Sequence, residues 1–416
     1  MGVFFLTRSS HFLECVRKMS RVSDRVETYF KLNRFFLSSI GLWPYQTPWE
    51  SRLGLSVLFA FTSSLFFMQF LGMLEVRNNM DDVIECLSPL GVAILCGIKV
   101  INAVTNSDKM KNLLTKIQKD WDVSVVSDQE TTIVKRYAEE GVKLTKMYAY
   151  VMYTGMSFFI LPPILSNLQL ANSSENKTET RRRLPYIAAD YIDTEKYFYL
   201  MTLHAYVATV FFVTIIIGVD STFTVYQQHG CAKFAILRYR LTRIIEPGNL
   251  DVDLNPPEID DFVYKRTKLC IYLHKEAIRY ACEIESAYTT AQLFQVGACC
   301  LLMSITGLHA VTKLAKPEEL VRYFAVILLL MLHLLSYSWP SHELMDQSLS
   351  VHRATYEIEW FRVSIRTRKL LLQMMARSLE VCKITAGKFC LMSMENYCSI
   401  LSNSMSYFTL LSSMQE

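Results

Sequence analysis

A chain of 416 residues, 51% hydrophobic and 12% aromatic, with a mean hydropathy of +0.20 and only 14 glycines, is too apolar for a disordered protein. Its long uncharged runs also exclude an ordinary soluble enzyme and point to a multispan membrane protein. The net charge of +4 says little as a total, and the 11 cysteines, with no CxxC pair and no metal-like spacing, read as small buried hydrophobes.

In chain order, the opening "VFFL" is too short for a signal-peptide core, and Leu6 stands where myristoylation needs Ser or Thr. Crossing roughly 30 Å of hydrocarbon takes about 20 mostly apolar helical residues. Runs of that kind occupy 53–74, 83–104, 147–170, 197–219, 287–311, 320–339 and 385–411, which predicts an all-α membrane protein with seven transmembrane helices. The second run is the weakest. Its Glu85 and Lys99 lie near its ends, where side chains snorkel to the interface.

Lys and Arg sort between alternate connections, and the cytoplasmic side holds the excess. Segments 1–52, 105–146, 228–286 and 340–384 carry eight, eight, nine and seven, against one, five and three in the connections between them, the last counting Arg322 just inside the sixth span. This predicts a cytoplasmic N-terminus and an extracellular C-terminus. The sequons at Asn172 and Asn176 fall in the long outer loop that the charge rule assigns, making both candidate glycosylation sites.

The inner connections "LLTKIQKDWDVSVV", "FVYKRTKLCIYLHKEAIRYACEIESAY" and "LMDQSLSVHRATYEIEWFRVSIRTRKLLLQMMARS" space apolar residues three and four apart, as amphipathic helices do, and extend the bundle into the cytoplasm. "EPGNLDVDLNPPEIDD" reads as a loop. The chain divides into a bundle over 1–340 and a segment 341–416 that holds a cytoplasmic anchor helix and the seventh span.

No HExxH, GxSxG elbow or Gly-rich phosphate loop is present, so no enzyme, metal or cofactor is expected. His204 and His333, within the fourth and sixth spans, suit either structural polar contacts or a ligand-facing role. The seventh span carries Ser399, Ser402, Asn403, Ser404, Ser406, Thr409, Ser412 and Ser413. Such hydroxyls either mediate tight helix packing or line water, with apolar rings gating by dewetting.

The stretch "ITAGKFCLMSMENYCSILSNSMSYFTLL", residues 384–411, resembles the closing signature of insect odorant receptors. "GLWP" at 41–44, "LPY" at 184–186, "GVDSTF" at 218–223 and Tyr356 with Trp360 are similar to pieces found elsewhere in that family. Met405 stands where Tyr is frequent and Val381 where Pro often is. The third inner connection is much shorter than in the family's co-receptor, so the chain resembles a ligand-tuned subunit.

The resemblance implies an odorant-gated, non-selective cation channel, a hetero-tetramer with the co-receptor in the plasma membrane of olfactory neurons, with a volatile ligand in the outer half of the bundle. Carried onto this sequence, Tyr153, Met156, Phe159, His204, Phe212, Phe324 and Met331 are the expected pocket, and Thr409, Leu410, Ser413 and Met414 the pore face and gate. Asp220 suits either a structural hydrogen-bonding role or a pairing that couples pocket to gate. Lipid and a small volatile molecule are the other expected partners, and nucleic acid is not. A metabotropic seven-helix receptor is the alternative from another class. Against it stand the reversed orientation, the "LSNLQL" end of the third span and the lack of Cys in 171–196. A gustatory-type channel would close on a TYxxxxxQF-like motif that is absent here.

Overall fold

The computed structural model describes residues 28–124, 128–172, 184, 186–187, 193, 195–245, 257–312 and 317–413. Within them helices follow one another as α1 (28–39), α2 (Pro48–Glu75), α3 (Met80–Thr105), α4 (Ser107–Ser124), α5 (Asp128–Asn172), α6 (Phe198–Leu241), α7 (Pro257–Thr312), α8 (Pro317–Glu357), α9 (Ile365–Ser378) and α10 (Met394–Ser413). Each of the seven expected spans falls largely on one helix, and α2, α3, α6, α7 and α8 each hold a window apolar enough to cross a membrane.

Local chemistry sets several boundaries. Thr47 caps α2 in a reciprocal box with Glu50, and Pro48 supplies the fixed first φ. Before it, Gly41 sits at φ +75, and a Cβ there would lie 2.5 Å from the Ser51 carbonyl oxygen. Only glycine lets the α1–α2 turn close this tightly.

At about 1.5 Å per residue, the 56 residues of α7 reach about 84 Å, far beyond a roughly 30 Å bilayer. The bundle therefore has two storeys. The upper one holds the starts of α3, α6 and α8 and the ends of α2, α5, α7 and α10. The lower holds α4, α9 and the extensions of α5 to α8, around a core with Leu113, Ile117, Phe234, Leu237, Tyr280, Leu344 and Leu371. The amphipathic connections are thus continuous with the spans, as their periodicity predicts. α8 also runs unbroken through Pro340.

The third connection is helical in two pieces, because α8 stops at Glu357 and a 3₁₀ turn over Trp360–Arg362 precedes α9, which Ser364 caps. One expectation needs correction. The seventh span does not begin at Thr385. Thr385–Ala386 (β1) and Cys390–Leu391 (β2) pair as an antiparallel hairpin, turned by Gly387 and Lys388 at φ 62 and 64. Left-handed residues cannot continue an α-helix. The Gly387 N–H donates to the Thr289 carbonyl at 2.8 Å, which pins the hairpin to α7, and α10 starts beyond it.

Candidate functional site

Four helices converge on one carboxylate at the foot of the upper storey. Asp220 of α6, 2% exposed, takes Lys99 Nζ of α3 on Oδ1 at 2.5 Å, and Tyr337 of α8 donates to the same oxygen. Lys99 also donates to the Tyr337 hydroxyl. Oδ2 takes the Tyr148 hydroxyl of α5 at 2.7 Å and lies 3.2 Å from His333 Nδ1 of α8, which is 2.8 Å from the same hydroxyl. All five side chains are buried. A buried charge this far from water is tolerated only when paired and fully hydrogen-bonded, and each Asp220 oxygen has two partners. Beside it Asn33 of α1 donates to Ser221 at 2.8 Å, and the Phe223 ring packs tilted against Tyr288 of α7 with centroids 4.5 Å apart.

Lys99 therefore does not snorkel. The sequence held a usable signal: α3 and α6 enter from the same side, and Lys99 and Asp220 lie about 28 and 33 Å along them. Opposite charges at matching depth on parallel spans belong together. Tyr148 and Tyr337 carried no such mark.

The expected pocket residues do not share one wall. Tyr153 and Met156 sit half-buried on α5, where Gly155 lets Leu329 of α8 approach within 2.5 Å of a would-be Cβ. His204 Nε2 meets Ser64 Oγ of α2 at 2.8 Å, with its ring stacked on Phe61, and Phe212 is buried against α2 and α3. Phe324 and Met331, seven residues apart, share one face of α8, nearly opposite Leu329 and His333 by helical rotation. Phe324 is 66% exposed there, while the Met331 carbonyl accepts from Tyr397 of α10 at 3.4 Å. Depth and residue type suggested these positions, whereas the helix face decides what a residue touches. The Phe159 side chain lies outside the described set.

On α10 the sides separate cleanly. Tyr397, Ile400, Leu401 and Ser404 turn inward; the first three pack beside Leu330 and Leu334 of α8 and Cys299 and Leu302 of α7. Ser404 is buried, 3.3 Å from Cys300 Sγ. Ser399, Ser402, Ser406 and Thr409 are exposed and, spaced three and four apart, form one stripe. Ser399, Ser406 and Thr409 donate to their own helix carbonyls, so their oxygen lone pairs stay available outward. The side chains of Leu410 and Ser413, all of Met414, the Asn172 side chain and Asn176 lie outside the described set. Among the described residues no group of three His, Cys, Asp or Glu could hold a metal.

Polar clamps tie the lower storey. Asp120 of α4 accepts from Lys233 at 2.6 Å and pairs with His229 at 2.9 Å, both on α6. Burial alone would raise this carboxyl, but the His229 and Lys233 contacts outweigh it and hold it at about 2. Arg240 grips Glu130 of α5 with two bonds of 2.6 and 2.7 Å.

Comparison with known proteins adds an independent line. The family model described as the seven-transmembrane odorant receptor matches residues 79–405. Odorant receptor 13a of Drosophila melanogaster is 22% identical over 358 residues, covering 81% of this chain and 82% of that protein. Odorant receptor 82a of the same fly is 24% identical, covering 82% and 86%. In fold, the chain is similar to the insect olfactory receptor OR5 from Machilis hrabei in complex with eugenol. The TM-score is 0.73 at 13% identity, over 93% of this chain and 98% of that one.

Proposed function

The chain belongs to the insect family of seven-transmembrane odorant receptors, which are receptors and not enzymes, and from that premise we propose that it is an odorant-gated, non-selective cation channel subunit. The observation that carries this reading is the exposed stripe Ser399, Ser402, Ser406 and Thr409 on α10. A lipid-facing helix has no use for a row of outward hydroxyls, whereas a pore needs uncharged oxygens that replace an ion's hydration. The sequence expectation that Thr409, Leu410, Ser413 and Met414 form the pore face and gate belongs to this reading, with apolar rings at 410 and 414 closing the path by dewetting.

In this reading the N-terminus is cytoplasmic and the C-terminus extracellular, as the Lys and Arg distribution requires. The lower storey is a cytoplasmic anchor. The subunit assembles with the family's co-receptor as a tetramer around the α10 helices, in the plasma membrane of olfactory neurons. Tyr153, Met156, His204 and Phe212 border the ligand region on the α2, α5 and α6 side. The OR5 neighbour is in complex with eugenol, and a small volatile molecule suits the aromatic and Met side chains here.

The test is whole-cell recording with and without the co-receptor against a broad volatile panel, combined with thiol labelling of Ser402→Cys, Ser406→Cys and Thr409→Cys. Block by a water-soluble thiol reagent along the stripe is expected, and Leu410→Ser raises resting conductance. Labelling that leaves the current untouched at all three positions, with unchanged leak for Leu410→Ser, rejects the pore assignment.

A further inference from the structure

We propose that Lys99, Asp220, Tyr148, His333 and Tyr337 form a latch that holds the channel closed, and that α8 carries its release to the pore helix. This rests on the channel reading above.

The geometry carries the step in two parts. The carboxylate of Asp220 is divided between helices: Oδ1 holds α3 through Lys99, Oδ2 holds α5 through Tyr148, and α8 supplies one partner to each oxygen. No rotation or slide of α8 against α5 and α6 can keep all of these contacts. The cluster is thus two-state in character, made or broken, as a coupling element must be.

The other face of α8 touches α10. Met331, two residues before His333, accepts from Tyr397, and Leu330 and Leu334 pack with Tyr397, Ile400 and Leu401. α8 therefore has Leu329 against α5 beside Tyr153 and Met156, the ionic cluster one turn lower, and the pore helix behind. A ligand that shifts α5 against α8 strains the first contact, loosens the second and moves the third.

Tyr148→Phe and Tyr337→Phe each remove one hydroxyl and keep the ring, so they test the latch with little threat to folding. Resting cation current is recorded in cells with the co-receptor, divided by surface receptor, beside single-channel conductance. We expect each variant to raise resting current per receptor, by about two- to tenfold for each hydrogen bond its hydroxyl makes in the closed state alone, with unitary conductance unchanged. Lys99→Met raises it further, and the exchange Lys99→Asp with Asp220→Lys moves it back toward wild type. Unaltered resting current per receptor in both tyrosine variants overturns the latch, as does a change matched by lost surface protein. Absence of any cation current from the wild-type assembly across the volatile panel overturns the channel function itself, and shows separately from the variants.

Discussion

Replacing Gly155 with alanine puts a methyl group where Leu329 already stands. The new Cβ would lie 2.5 Å from Leu329 Cδ1, 2.6 Å from Cδ2 and 3.0 Å from Cγ. Carbon atoms pack comfortably at about 3.5–4.0 Å, so α5 and α8 must part by about 1 Å or Leu329 must leave its rotamer. Overpacking of this kind costs about 1–3 kcal/mol, and alanine returns about 0.5–1 kcal/mol by its better helix propensity. The net loss is about 0–2.5 kcal/mol. Gly97, with nothing within 4 Å of its would-be Cβ, is the control, and alanine there stabilises by about 0.5–1 kcal/mol. Leu329→Ala deletes all three clashing atoms, so in that background Gly155→Ala becomes neutral or favourable. Thermal unfolding of the detergent-solubilised protein, run as a double-mutant cycle, reads the coupling at about 1–3 kcal/mol. Equal cost of Gly155→Ala in both backgrounds would refute the reasoning, because the α5–α8 contact would not then be what confines position 155.

Two further outcomes test other levels. Asp120 has its carboxyl held at about 2 against about 3.9 unfolded, so its contribution is present above about pH 4 and is lost as pH falls toward 2. Asp120→Asn lowers stability by about 1 kcal/mol after allowance for partial exposure, and the gap between the two proteins in thermal unfolding closes across that window. Asn172→Gln with Asn176→Gln removes any endoglycosidase-sensitive gel shift of the protein made in insect cells, if the loop faces outward as the charge rule demands. A shift that persists in the double variant would place the glycan elsewhere.

Much of the fold was legible because a bilayer demands long apolar helices and a cytoplasm tolerates basic ones. The seven runs and the amphipathic extensions follow from those two demands alone. The hairpin before α10 was not, because half of its turn is Lys388, a residue type that rarely adopts φ 64 and so gives no local warning. In the site, residue type was readable and partner was not. The hydroxyls of α10 were visible as a group, but only packing separates Ser404, turned toward α7, from the outward stripe. Phe324 and Met331 were chosen by depth and chemistry, and the opposite faces of α8 divide them from Leu329 and His333. Lys99 looked interfacial because its span was read alone, and only its depth matched against Asp220 on the parallel fourth span marks the pairing.

That partner is also made late. Lys99 and Asp220 stand 121 residues apart, and at about 5–20 residues per second a ribosome needs about 6–24 s to pass from one to the other. During that interval α3 holds a cation with no counter-charge, which its own length can only relieve by tilting or reaching to the headgroups. Insertion of the second span is therefore provisional until the fourth emerges. Loss of Asp220 would leave α3 with that uncompensated charge throughout, a burden on insertion distinct from any effect on gating.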